Sequence, residues 1–135
     1  MIDPARKDSD TVMSKKVMIV DDEEDMRIFL ETLFKKAGYE TEVAINGEEA
    51  MRQLEHGVPN LITLDILMPK KSGISFFQAI REDEQLKSVP VIVLSGVTRH
   101  SEFFGSEART GPTEFVEKPV APDVLLSKAK ELLGE

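Results

Sequence analysis

Apolar and polar positions fall into short alternating blocks along the chain. Val17 to Val20 is a continuous apolar run of the length a buried strand needs. Met26, Leu30, Leu33, Phe34 and Ala37 then recur on one face of a 3.6-residue period, and Gly38 is placed to end that helix. Glu40 to Ile45 reads as a second, more polar strand. Asn46-Gly47 reads as a turn, and Glu48 to Glu55 as a short helix with Ala50 and Leu54 inward. Asn60 to Leu64 predicts a third strand ending on Asp65, and Ile74 to Arg81 a helix with Phe77 and Ile80 inward. Val89 to Leu94 is the most apolar strand and ends on Ser95. Glu114 to Glu117 predicts the last strand, and Ala121 to Leu133 the last helix, with Leu125, Ala129 and Leu132 on one stripe. Between them, Gly96 to Gly111 should hold a helix. Gly105 interrupts it and Thr98 and Ser101 are indifferent helix formers, so an irregular helix is expected there.

Strand and helix thus alternate along the whole chain. Right-handed crossovers turn that pattern into a parallel sheet with helices on both faces. In such sheets ligands bind at the carboxyl ends of the strands. The residues at those ends are Asp21, Asp22, Asp65, Ser95 and Lys118. Three carboxylates in one pocket repel, by about 4 kcal/mol per pair at 4 Å and an effective dielectric near 20. A cation relieves that repulsion, and oxygen ligands without His or Cys select a hard ion such as Mg²⁺. Glu23, Glu24 and Asp25 have a simpler account, since acids in a first helical turn favour its dipole.

Composition narrows the classes. The 135 residues suit one domain, and a hydrophobic fraction of 41% supplies a core. A net charge of −8 argues against a broad nucleic-acid face or an anionic membrane surface. Without cysteine, disulfides, thiolate metal sites and cysteine nucleophiles are excluded. No apolar run approaches the ~20 residues that span a bilayer, and no signal peptide is visible, so the expected compartment is the cytoplasm. Residues 1–14 lack any apolar period, and Met13-Ser14-Lys15-Lys16 reads like a second start. Residues 1–14 are therefore expected to be a disordered arm or an expression-vector remnant, with one domain from 15 to 135.

The motifs at the strand ends resemble those of response-regulator receiver domains of two-component signalling. They are Val20-Asp21-Asp22-Glu23, Leu64-Asp65 with Met68-Pro69 and Gly73, Leu94-Ser95-Gly96, and Phe115-Val116-Glu117-Lys118-Pro119. Their order and spacing carry the resemblance over about residues 15 to 133. It implies a flavodoxin-like sheet of strand order 2-1-3-4-5 with about five helices. It implies that Asp65 takes a phosphoryl group from a phosphohistidine on a sensor histidine kinase. Mg²⁺ would be held by Asp22, Asp65 and the Leu67 carbonyl, with Asp21 acting mostly through a metal-bound water. Lys118 would pair with Asp65 and later with a phosphoryl oxygen, Ser95 would move to bind another, and Gly96 leaves room for the group. Phe115 would turn inward as the switch, and a cis Lys118-Pro119 bond is usual in the family. Leu67 and Val97 would flank the hydrolytic water, and being apolar they imply slow self-dephosphorylation.

Some positions depart from the family pattern. Ser95 stands where Thr is common, Phe115 where Tyr is commoner, and Pro112 where a small Ala is usual. Phe76, Phe77, Phe103 and Phe104 are expected to pack or to form partner surface. His56, His100 and Lys70-Lys71 are expected to be solvated. The chain reads as a switch that catalyses its own phosphorylation and slow dephosphorylation rather than as an enzyme. Its direct partners would be proteins, not nucleic acid or membrane. It could stand alone with an unknown output partner, act as a phosphorelay intermediate, or be the N-terminal receiver of a longer regulator. A remote alternative is a small Mg²⁺-dependent phosphatase with an aspartyl nucleophile. Asp8-Ser9-Asp10-Thr11-Val12 fits one such D-x-D-x-V motif, but it follows P-A-R-K rather than a buried strand.

Overall fold

A computed structural model of the chain describes residues 14–66, 73–96 and 111–135. The described elements run β1 (Lys16–Val20), α1 (Glu24–Lys36), β2 (Glu40–Ala44), α2 (Gly47–Leu54), β3 (Leu61–Asp65), α3 (Gly73–Glu82), β4 (Val91–Ser95), β5 (Thr113–Glu117) and α4 (Pro122–Leu133). The strands pair in parallel, as the alternation of strand and helix requires, and their order is β2-β1-β3-β4-β5, the order the family resemblance implies. The expected irregular helix between β4 and β5 lies outside the described residues, as does the N-terminal arm up to Met13.

The strands' period of two sorts their side chains onto the two faces. Met18, Val20, Ile62, Leu64, Val91 and Val93 meet Ala50 and Leu54 of α2 and Phe76, Phe77 and Ile80 of α3. Val17, Ile19, Leu61, Ile92 and Leu94 meet Leu30 and Phe34 of α1 and Leu125 and Ala129 of α4. Because both faces are covered, β1, β3 and β4 carry almost no solvent-exposed position. Each fully buried Leu, Ile or Phe stabilises the fold by about 1.5–3 kcal/mol. One residue breaks the pattern. Thr63, flanked by Ile19 and Ile92, is 1% exposed and its hydroxyl has no hydrogen-bond partner among the described residues.

Several boundaries differ from the sequence reading, each for a local reason. The strand expected from Val89 begins at Val91, because the Val89 N–H turns back to the Leu86 carbonyl and Pro90 has no N–H to give a ladder. Asn60 stays outside β3 and uses its side-chain oxygen to accept the Lys16 N–H. Strand β2 stops at Ala44 because Ile45 donates its N–H to Glu49. Asn46 in turn caps the Glu49 N–H, so Asn46 and Glu49 start α2 reciprocally. Gly38 follows α1 with φ +99°, a conformation that favours glycine.

Two fastenings were not apparent from periodicity. Arg81 closes α3 but is only 4% exposed. Its guanidinium donates to the carbonyls of Lys87, Val89 and Pro112 and to the Thr113 hydroxyl, and lies 5.0 Å from the Phe77 ring centre. Burial pulls its pKa down to about 10. At the amino ends of the strands, Tyr39 donates its hydroxyl to Glu135 at 2.6 Å, and Lys15 reaches both Glu135 and the Leu133 carbonyl. The start of the sheet and the end of α4 are clasped together there.

Candidate functional site

The sheet register brings the strand ends level. Val20 lies opposite Leu64, Asp65 opposite Leu94, and Ser95 opposite Glu117. The ladders run one step further. Asp21 N–H donates to the Ala44 carbonyl and Lys118 N–H to the Ser95 carbonyl. Asp21, Asp65, Ser95 and Lys118 therefore share one edge, although nearly 100 residues separate the first from the last.

At that edge Asp21, Asp22 and Asp65 each offer a carboxylate oxygen within 4.8 Å of the others. Asp21 and Asp65 are buried and Asp22 is exposed. The Lys118 ammonium lies 3.2 Å from an Asp65 oxygen. Within Asp21, one carboxylate oxygen accepts the Glu23 N–H at 2.9 Å, while Oδ2 is buried with no partner among the described residues. Burial raises the Asp21 carboxyl to about 6. The Glu23 N–H opposes that rise, the Asp65 carboxylate adds to it, Lys118 opposes it and Asp22 adds to it. A buried anionic oxygen with nothing to bind, beside two more carboxylates, suits a hard divalent cation, and the oxygen-only donor set fits Mg²⁺.

Glycine at position 73 lets α3 begin against this edge. A Cβ there would lie 2.6 Å from the Asp65 carbonyl oxygen and 2.8 Å from Ile66 Cα. The Gly73 N–H donates to the Ile66 carbonyl. Ser95 is fully buried at the end of β4. Phe115 is half-buried, packed against the cluster that contains Phe77 and Val93. The Lys118-Pro119 bond is cis. Leu67 and Val97 lie outside the described residues, as do Phe103, Phe104, His100 and Lys70-Lys71. Phe76 and Phe77 are core residues, and His56 is exposed. Glu23 is the N-cap of α1, and Glu24 and Asp25 occupy its first turn.

Arg27 went unnoticed in the sequence. It donates Nη1 to the Asp21 carbonyl at 2.9 Å. The available signal was a cation in the first turns of α1, two residues beyond a run of acids.

The response regulator receiver domain family matches residues 17–130, and the chain belongs to it. The chain is 36% identical over 124 residues to a protein named probable transcriptional regulator ycf27 from Cyanophora paradoxa, covering 90% of this chain and 49% of that protein. Protein PilG of Pseudomonas aeruginosa is 34% identical over 116 residues, covering 85% of this chain and 84% of its own length. The chemotaxis protein CheY4 of Vibrio cholerae superposes with a TM-score of 0.80 at 29% identity, covering 89% of this chain and 99% of CheY4. The chain spans about half the length of several relatives it matches, ycf27 among them. Among the described residues, no helix is long and apolar enough to cross a membrane.

Proposed function

We propose that this chain is a phosphorylation-driven switch in which Asp65 accepts a phosphoryl group from a phosphohistidine on a sensor kinase. The observation that carries it is the convergence of Asp21, Asp22 and Asp65 at one edge with Lys118 at 3.2 Å from Asp65. The Asp65 carboxylate oxygen attacks phosphorus in line, the nitrogen–phosphorus bond breaks, and an aspartyl phosphate results. Asp21, Asp22 and Asp65, with the Leu67 carbonyl, would hold Mg²⁺. When bound, that ion neutralises charge on the transferring group. Lys118 leaves its pairing with Asp65 for a phosphoryl oxygen. Ser95 follows to a second oxygen, and Phe115 turns inward. Apolar Leu67 and Val97 exclude a well-placed water, so the phosphoryl group is lost slowly.

Incubation with acetyl phosphate and Mg²⁺ should add one phosphoryl group, labile to hydroxylamine and absent from Asp65→Asn. Label on Ser95, or label persisting in Asp65→Asn, overturns the assignment. Leu67→Asn or Val97→Glu should speed decay of the phosphorylated protein. An unchanged decay in both overturns the role given to those two residues. The partner beyond the kinase is an output domain or protein in the cytoplasm. Resemblance over 84% of PilG favours a separate output protein, whereas resemblance over 49% of ycf27 favours an attached output domain.

A further inference from the structure

The turn between β1 and α1 carries both Asp21 and Asp22, and its restraint is unusual. The N-cap residue of α1, Glu23, makes no side-chain capping bond. The turn is held instead through Asp21. Its N–H donates to the Ala44 carbonyl at 3.0 Å, and one of its carboxylate oxygens accepts the Glu23 N–H. Its carbonyl accepts Nη1 of Arg27, which reaches back six residues from α1. Three polar atoms of Asp21 are thereby fixed, leaving Oδ2 to face the site. Repulsion among the three carboxylates pushes the turn, and exposed Asp22 with it, away from Asp65. The Arg27 bond, together with that of the Asp21 carboxylate to the Glu23 N–H, opposes this displacement at the turn's backbone. Its leverage is on the backbone.

We infer that Arg27 is a positioning residue for the acidic pair, holding the β1–α1 turn so that Asp21 and Asp22 stay within ligating reach of Asp65. The inference rests on reading the three carboxylates as a divalent-cation site. Its sign separates it from a simple charge effect. Arg27 is a cation near a cation site, so by charge alone its removal should tighten Mg²⁺ binding. By positioning, removal should weaken it. Partners behind metal ligands typically contribute ~10–100-fold to affinity.

The experiment measures Mg²⁺ binding by calorimetry, and Mn²⁺ binding by electron paramagnetic resonance, well below the melting temperature. It compares wild type, Arg27→Met, Arg27→Lys and Asp22→Ala, each checked for native circular dichroism. Arg27→Met should raise Kd by about tenfold. Arg27→Lys, which keeps a donor on a similar stem, should recover part of the loss. The difference between wild type and Arg27→Met should persist in 0.5 M salt, where a through-space charge effect is screened. Unchanged or tighter binding by Arg27→Met overturns the positioning role while leaving the cation site intact. Equal loss in Met and Lys variants also overturns it, since the donor would then not matter. If wild type fails to bind, or Asp22→Ala binds like wild type, the cation site itself is wrong and the inference falls with it.

Discussion

Two buried oxygens without partners make opposite statements about their residues. The Thr63 hydroxyl lies on β3 between Ile19 and Ile92, and among the described residues it has no hydrogen-bond partner. Thr63→Val keeps the shape and removes the orphan group. It should raise stability by up to about 1 kcal/mol, measured by urea denaturation. A loss would mean that the hydroxyl is bonded in solution. Oδ2 of Asp21 is without a partner among the described residues for a different reason, since its carboxylate lies beside those of Asp22 and Asp65. Asp21→Asn removes a buried charge and two repulsions. In chelator-treated protein it should therefore stabilise by on the order of 1–2 kcal/mol, while the rise in melting temperature produced by millimolar Mg²⁺ shrinks. Destabilisation of the metal-free protein by Asp21→Asn would contradict the electrostatic account of the site.

Elements are joined here by close approach as much as by apolar contact. A Cβ on Gly111 would lie 2.3 Å from the Lys87 carbonyl oxygen and 2.7 Å from the Arg81 guanidinium carbon. Gly111→Ala should therefore loosen the grip of Arg81 on the start of β5 and destabilise by about 1–3 kcal/mol. Arg81→Ala removes the Arg81 bonds to the Lys87, Val89 and Pro112 carbonyls and should cost about 1–3 kcal/mol. Melting temperatures that match wild type in both would show the fastening to be dispensable. These joints explain what could be read from the chain beforehand. The parallel sheet followed from alternation and handedness, its strand order from the motif resemblance, and the polar edge from where apolar runs end on Asp21, Asp65 and Ser95. Arg81 and Arg27 could not be read that way. A buried arginine bonding to carbonyls leaves no periodic trace, because its partners are backbone atoms whose positions only the fold determines. Thr63 was hidden for the converse reason, since Thr is at home in any strand.

At the scale of the molecule, the clasp of Lys15, Tyr39, Leu133 and Glu135 lies at the opposite end of the sheet from Asp65. Burial raises the Tyr39 phenol to about 12, and the bond and charge of Glu135 add to the rise. The same bond lowers the Glu135 carboxyl. A phenol whose folded pKa exceeds its unfolded value near 10 stabilises fully below pH 10, and that contribution is lost as pH climbs toward 12. Stability should therefore decline across that window more steeply in wild type than in Tyr39→Phe. Tyrosinate absorbance in Glu135→Gln should appear at lower pH than in wild type. Coincident titrations would show that the clasp does not hold the phenol.

The chain has one tyrosine and no tryptophan, so Tyr39 is its main near-ultraviolet chromophore. Its hydroxyl donates a hydrogen bond to the Glu135 carboxylate, a contact expected to quench its emission, and it lies at the α4 terminus rather than at the acidic edge. Intrinsic fluorescence should be blind to Mg²⁺ and bright on unfolding or on release of α4. A flat titration with Mg²⁺ is thus no sign of failed binding, and following the phosphoryl site optically calls for a reporter introduced beside it.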